Sequence, residues 1–284
     1  GAVVEVLSSS TTAQNIARLS ARTNGAVPDV TDTFDYNVNQ RHLDENETEQ
    51  TGVSLDVSYD IGDFTLKSIT GYRDWSYDAV TDPFRLPLDI ININEAFKTE
   101  TLSQEFQVLS PRNGIFEYVA GFYYYNEDFD IDTQRDLQPG FCGTLIAIAA
   151  PPFQGPCTAS PQTGAVVAAF EQEVESYALF GQATYFLSDQ FSLTGGLRWT
   201  SDDKEGSFQS TTYNPIVAAT QTASEPFRAL EYSDDQITYL VTLNYRPSED
   251  VLAYATFNTG YKSGGFNSNV SGSSPLSAEQ RVFD

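Results

Sequence analysis

Very little in this chain is equipped for covalent chemistry. Its 284 residues hold two cysteines, one histidine and no methionine. With His42 as the single imidazole, a Ser-His-Asp arrangement would have to be built in an acidic stretch with no clear periodicity, and no GxSxG elbow occurs. Gly260-Tyr261-Lys262-Ser263-Gly264-Gly265 has the residue types of a phosphate loop, but not in that order. Ser201-Asp202-Asp203-Lys204-Glu205-Gly206 lacks the spacing and the terminal Glu of a calcium loop. The pair Asp234-Asp235 reads as loop solvation. Cys142 and Cys157 cannot make a four-ligand zinc site without further ligands. A disulfide is the better reading, with two unrelated free thiols as the other; it would contribute about 3 kcal/mol through loop closure and implies an oxidising compartment. No catalytic residue, metal ligand or cofactor is therefore expected.

The formal charge of −24 excludes nucleic acid as a partner, because phosphate binding needs a basic stripe. It fits solvated loops, or attraction of cations such as metal complexes and the divalent ions that bridge lipopolysaccharide. No run approaches ~18 apolar residues, so no transmembrane helix is expected. The start and the end both read as cuts within a longer protein.

What remains is a pattern of strands. Four short turns, at 60–63, 110–114, 187–190 and 246–250, alternate with long polar connections at about 78–95, 132–171 and 201–232. Each turn joins two segments of period-2 alternation. Val53, Leu55, Val57 and Tyr59 alternate with Gly52, Ser54, Asp56 and Ser58. Phe191, Leu193, Gly195, Leu197 and Trp199 alternate with Ser192, Thr194, Gly196, Arg198 and Thr200. The segment around Leu102, Phe106 and Val108 has Gln104 as its misfit. Eight strands are legible between 49 and 267; residues 1–48 are poorly defined, with Val3–Leu7 and Phe34–Val38 as possible strands. Short turns at one end and long loops at the other suit a transmembrane β-barrel, whose apolar face meets lipid and whose polar face lines the lumen. Aromatics at both strand ends match interfacial girdles: Tyr59, Phe64, Phe116, Tyr118, Tyr185, Phe186, Phe191, Tyr245 and Tyr254 by the turns, and Trp75, Tyr77, Tyr124, Trp199 and Tyr261 by the loops. On this reading Lys67, Arg73, Glu105, Arg198 and Asn244 line the lumen. Eight strands alone would close around a space filled by their own side chains, so a wider barrel with further strands is expected.

Leu252 to Asn267, ending in Gly260-Tyr261-Lys262-Ser263-Gly264-Gly265-Phe266-Asn267, resembles the "Y-A-x-[FY]-x-x-G-[YF]-[KR]-S-G-G-[FY]-N" block of TonB-dependent outer-membrane receptors. Phe64 to Arg73, Leu102 to Phe106 with Tyr118 to Tyr124, and Leu193 to Thr200 resemble earlier strands of that family, in the same order. The resemblance implies part of a 22-stranded antiparallel barrel in the Gram-negative outer membrane, a plug domain and energy-coupling box outside this chain, and no enzymatic activity. It implies active uptake of a scarce nutrient, an iron–siderophore complex above all, powered through a TonB-type coupling protein, with lipid and lipopolysaccharide around the wall. Arg73, Trp75, Tyr77, Arg198, Tyr261 and Lys262 would then stand near the extracellular mouth, where cations and rings suit an anionic, ring-bearing chelate. A passive porin-like barrel, and a soluble secreted glycan-binding β-protein, are the rival readings.

Overall fold

The computed structural model describes residues 43–84, 88–112, 114–270, 272 and 274–283. The segments Val3–Leu7 and Phe34–Val38 lie outside them. Eight strands form one antiparallel sheet in sequence order: β1 Glu45–Ile61, β2 Phe64–Thr81, β3 Ile91–Leu109, β4 Phe116–Leu137, β5 Val166–Phe186, β6 Phe191–Thr212, β7 Glu225–Ser248 and β8 Val251–Asn258. A small pair, β9 Gly265–Phe266 and β10 Val282–Phe283, follows. The strands reach further than alternation in the sequence suggests. The connections expected at about 78–95, 132–171 and 201–232 shrink, because β2 to β7 continue into them. The strand β4 runs on through the acidic stretch Asp128-Phe129-Asp130-Ile131-Asp132 into the expected connection, with carboxylates on one face and apolar side chains on the other.

The register fixes the two faces. Phe106, Phe122, Leu179, Trp199 and Ile237 stand in one cross-strand row, and Val108, Ala120, Gly181, Leu197 and Tyr239 in another. Neighbours across a ladder point the same way, so one face is apolar throughout and largely exposed. Gln104 shares that face without leaving its polar atoms open. Its amide nitrogen donates to Ser68 Oγ (3.1 Å) and the Ile69 carbonyl (3.2 Å), and its oxygen accepts from Thr70 Oγ1 (2.6 Å).

The rows also climb. One runs Thr65–Leu109–Val119–Gln182–Gly196–Leu240–Asn258. It starts one residue past the beginning of β2 and ends seven past the beginning of β8. A stagger of about six residues at ~3.3 Å each, over six strand spacings of ~4.8 Å, tilts the strands by ~35°, within the range of transmembrane barrels. Measured from the turns, Tyr72, Tyr124, Tyr177, Trp199 and Tyr239 all sit eight or nine residues up their strands on the apolar face. That is roughly 23 Å above the turns, where Tyr59, Phe64, Phe116, Tyr118, Tyr185, Phe191 and Tyr245 form the lower band. Two aromatic bands about one apolar thickness apart are the geometry of a barrel wall in a bilayer. The band membership differs in part from the sequence expectation. Trp75 and Tyr77 share the opposite face with Phe97, Phe186 and Tyr254 also point away from the lipid side, and Tyr261 leaves the sheet altogether.

Both small cores lie above the upper band on the polar face. The first packs Ile90, Ile91, Leu137, Phe141, Ile146 and Val217 around the disulfide between Cys142 and Cys157, whose Cα atoms are 5.6 Å apart. The second gathers Phe170, Phe208, Leu230 and Phe266. The loops therefore fold inward over the mouth.

Candidate functional site

The polar face carries nearly all the strand cations. Lys67, Arg73, Arg135, Arg198, Lys204 and Arg228 stand on it; Lys98 stands on the apolar side, ion-paired with Glu100 at 2.5 Å. The carboxylates occupy both faces, with Glu95, Glu105, Glu127, Asp202 and Asp234 on the side of the cations. Asp74, Glu100, Asp128, Glu173, Glu205 and Glu231 form one unbroken row just above the outer aromatic band. The outer face thus pairs this row with Lys98, while the inner face carries cations and carboxylates together.

An aromatic ladder runs across the same inner face. Trp75 stacks on Tyr77 (6.1 Å between ring centroids), Tyr77 meets Phe97 (5.7 Å), Phe97 meets Phe129 (6.3 Å) and Phe129 meets Phe170 edge-on (6.2 Å). Phe170 then joins Phe208 and Phe266. Alternation puts Trp75 and Tyr77 of β2, Phe97 of β3, Phe129 of β4 and Phe170 of β5 on this face, and the stagger brings rings of neighbouring strands side by side.

The residues expected at the mouth separate into levels. Trp75 and Tyr77 begin the ladder. Arg73 lies just below, donating to Gln50 Oε1 at 2.9 Å. Arg198 is not at the mouth. It stands seven residues above its turn, about 19 Å up the wall, packed over the rings of Tyr123 (5.5 Å) and Phe180 (5.9 Å) and bonded to Thr200 Oγ1 (3.1 Å). Tyr261 donates to Asp202 at 3.1 Å; burial first, and Asp202 among the nearby groups, push its hydroxyl pKa up. Lys262 is exposed.

The cation that contacts the Lys262–Gly265 turn is one that sequence reasoning passed over. Lys204 shares the row of Arg73 and donates to the Gly264 carbonyl at 2.6 Å, 6.0 Å from the Tyr232 ring centroid. Burial lowers its pKa, against the opposing pull of Asp202 and Glu127. Gly264 itself accepts no side chain, since a Cβ there would overlap the Phe283 carbonyl and the Tyr232 ring. Among the described residues no three His, Cys, Asp or Glu side chains converge as a metal-ion set.

The carboxylate side makes a pH prediction. Asp130, two residues above the outer row, has its pKa raised by burial and then by Glu171. A raised carboxylate pKa means that the folded state holds the proton more tightly than the unfolded chain. Stability from this group is thus present at acid pH and lost as pH rises through the carboxylate range. Asp130→Asn is expected to stabilise the protein at pH 7 by a few tenths of a kcal/mol. It should also reduce the gain in melting temperature seen on acidification from pH 7 to 5. An unchanged pH profile in thermal melts of the detergent-solubilised variant would count against this account.

The family model for the β-barrel of TonB-dependent receptor-like proteins matches residues 6–281. This chain belongs to the TonB-dependent receptor family. Members are transport receptors of the Gram-negative outer membrane, which fixes the apolar face as the lipid side and the long-loop end as the exterior. The receptor's fold is similar to three solved structures. The ferric yersiniabactin uptake receptor FyuA from Yersinia pestis is 16% identical, with a TM-score of 0.63 over 81% of this chain and 31% of that one. The siderophore receptor PiuA from Acinetobacter baumannii is 14% identical, with a TM-score of 0.54 over 76% and 32%. The ferric-catecholate import receptor Fiu from E. coli K12, open form, is 10% identical, with a TM-score of 0.52 over 81% and 38%. The chain thus spans about a third of the length of these structures.

Proposed function

We propose that this receptor takes up an anionic, ring-bearing nutrient, an iron–siderophore complex, across the outer membrane. The observation that carries the reading is the segregation of six strand cations to the face that also bears the aromatic ladder. An anionic chelate is drawn by the cations, and its rings find stacking partners. The names of the similar structures, all siderophore or ferric-chelate receptors, support the same cargo. The energy comes through a TonB-type coupling protein that engages a plug-bearing N-terminal region, and no catalytic step is involved. Outside, the carboxylate row meets the headgroup layer, where divalent ions bridging lipopolysaccharide phosphates offset its self-repulsion.

Deleting the gene and measuring growth on single iron sources tests the cargo, and collapsing the proton-motive force tests the energy source. Uptake that survives collapse would assign a passive pore instead. Arg73→Ala and Arg198→Ala are each expected to weaken chelate binding by about tenfold, the scale of one charge-assisted hydrogen bond or desolvated cation–π contact. Unchanged affinity in both would remove the inner-wall cations from the binding role.

A further inference from the structure

High on the inner wall, several polar groups are shut away from water without partners of their own. Ser210 is 3% exposed, and its Oγ has no hydrogen-bond partner among the described residues; the same holds for Thr212 Oγ1 and Arg228 Nε. The register groups them. Ser210 and Thr212 follow Phe208 at alternate positions on β6, and β6 stays in step with β5 through Thr212, so all three point inward. Arg228 is opposite Phe208 on β7. Arg135, Val166 and Thr212 form one row. The Arg135 guanidinium crosses β5 toward β6, because its Nη1 donates to Thr222 Oγ1 at 3.1 Å, in the connection between β6 and β7. The Cα atoms of Arg135 and Thr212 are about two strand spacings apart, ~10 Å, and an extended arginine spans most of that.

The charges nearby leave this corner cationic. Glu225, the nearest carboxylate in register, accepts from Nε and Nη2 of Arg281, at 2.6 and 2.8 Å. Glu95 is the carboxylate that acts on Arg135. No carboxylate forms an ion pair with Arg135 or Arg228 among the described residues. A buried hydroxyl without a partner is destabilising, and buried polar groups are normally satisfied by protein, water or ligand. Two such hydroxyls beside an arginine present donors to one small acceptor of negative charge.

We infer that Arg135, Ser210 and Thr212 form a binding nook for a single oxyanion group, a phosphate or a carboxylate, with Arg228 as a second cation. Two hydroxyl donors and a guanidinium are the donor set that such a group accepts from. Arg135 and Arg228 are among the six cations of the proposed function, but the nook is tested with inorganic anions, so its failure and the failure of the cargo reading are distinguishable.

The test uses the full-length receptor in detergent, with inorganic phosphate and acetate as probes and melting temperature and calorimetry as readouts. Saturable stabilisation of the wild type is expected. The Ser210→Ala and Thr212→Val double variant removes only the open hydroxyls, so it should fold and keep its heat-modifiable gel mobility. Its anion affinity should fall about tenfold or more, and Arg135→Gln should lower it further. Preference for phosphate assigns a free or esterified phosphate, and preference for acetate a carboxylate. Glucose 6-phosphate then separates a free ion from an anionic group carried on a larger solute. No saturable response in the wild type, or an equal response in the double variant, would overturn the inference and leave the nook as a water site.

Discussion

Replacing Arg281 with alanine is expected to release the segment that follows β8 from the inner wall. Arg281 is fully buried in α1, Ala278–Arg281, and Glu225 is buried with it. The guanidinium donates to both Glu225 carboxylate oxygens, to the Asn267 carbonyl at 2.5 Å and to the Asn269 carbonyl at 3.1 Å, and it lies 3.3 Å from the Phe208 ring centroid. Removing one partner of a buried, fully bonded ion pair costs about 3–5 kcal/mol, because the other charge is left without compensation. The wall itself should survive, since the long strands β5, β6 and β7 keep their ladders. The loss should appear locally, as amide exchange some 10²–10³-fold faster at Gly265, Phe266 and Val282 with little change in β6. The rescue variant is informative. Glu225→Leu combined with Arg281→Met removes both charges and should recover most of the protection, as apolar replacements of buried pairs often do. If Arg281→Ala leaves exchange at Phe266 unchanged, the pair is not what holds this segment down.

The same corner shows how far the residues alone could be followed. Period-2 alternation gave the hairpins, the two faces and the assignment of Lys67, Arg73, Glu105, Arg198 and Asn244 to one side, because face is a local property of a strand. Height was harder. It depends on the stagger between strands, which no single segment encodes. Trp75 and Tyr77 therefore looked like girdle residues beside Trp199, although they stand on the opposite face, and Arg198 stands one residue below Trp199 while Arg73 stands one above Tyr72. Long-range packing left no local sign at all. Arg281 lies 56 residues from Glu225, and Lys204 is 60 from the Gly264 carbonyl it holds. The glycines were a usable signal. Gly206 stands where the Phe266 ring comes within 3.0 Å of a Cβ position, so a glycine late in a β-strand marked a site of close approach.

Breaking the Cys142–Cys157 bridge is expected to open the outer loop while sparing the barrel. The loop carries no charged residue between Leu137 and Phe170, and its helical turns, 141–146, 147–149, 151–153 and 154–158, are too short to hold themselves. What fixes them is the small core around the bridge and the contacts of the neighbouring loop. Asn214 is central to these. Its side-chain nitrogen donates to the Cys157 and Pro161 carbonyls at 3.3 and 3.2 Å, and its oxygen caps the helix Pro215–Thr220 by accepting from Ile216 and Val217. Closing a 15-residue separation contributes about 3 kcal/mol. Cys142→Ser with Cys157→Ser loses that term and places two hydroxyls in an apolar core. The loop keeps other ties, since the Gln138 and Gly140 amides donate to the Ile90 and Asp89 carbonyls at 2.9 and 2.6 Å, so the opening is expected to be local to the segment around the bridge. Limited proteolysis of intact cells should then cut between 141 and 160 in the variant and not in the wild type, while heat-modifiable gel mobility stays the same. Asn214→Ala should give a weaker version of the same effect, because it removes the cap and the two carbonyl contacts but leaves the bridge. Equal resistance to protease with and without the bridge would mean that the apolar packing alone closes the loop.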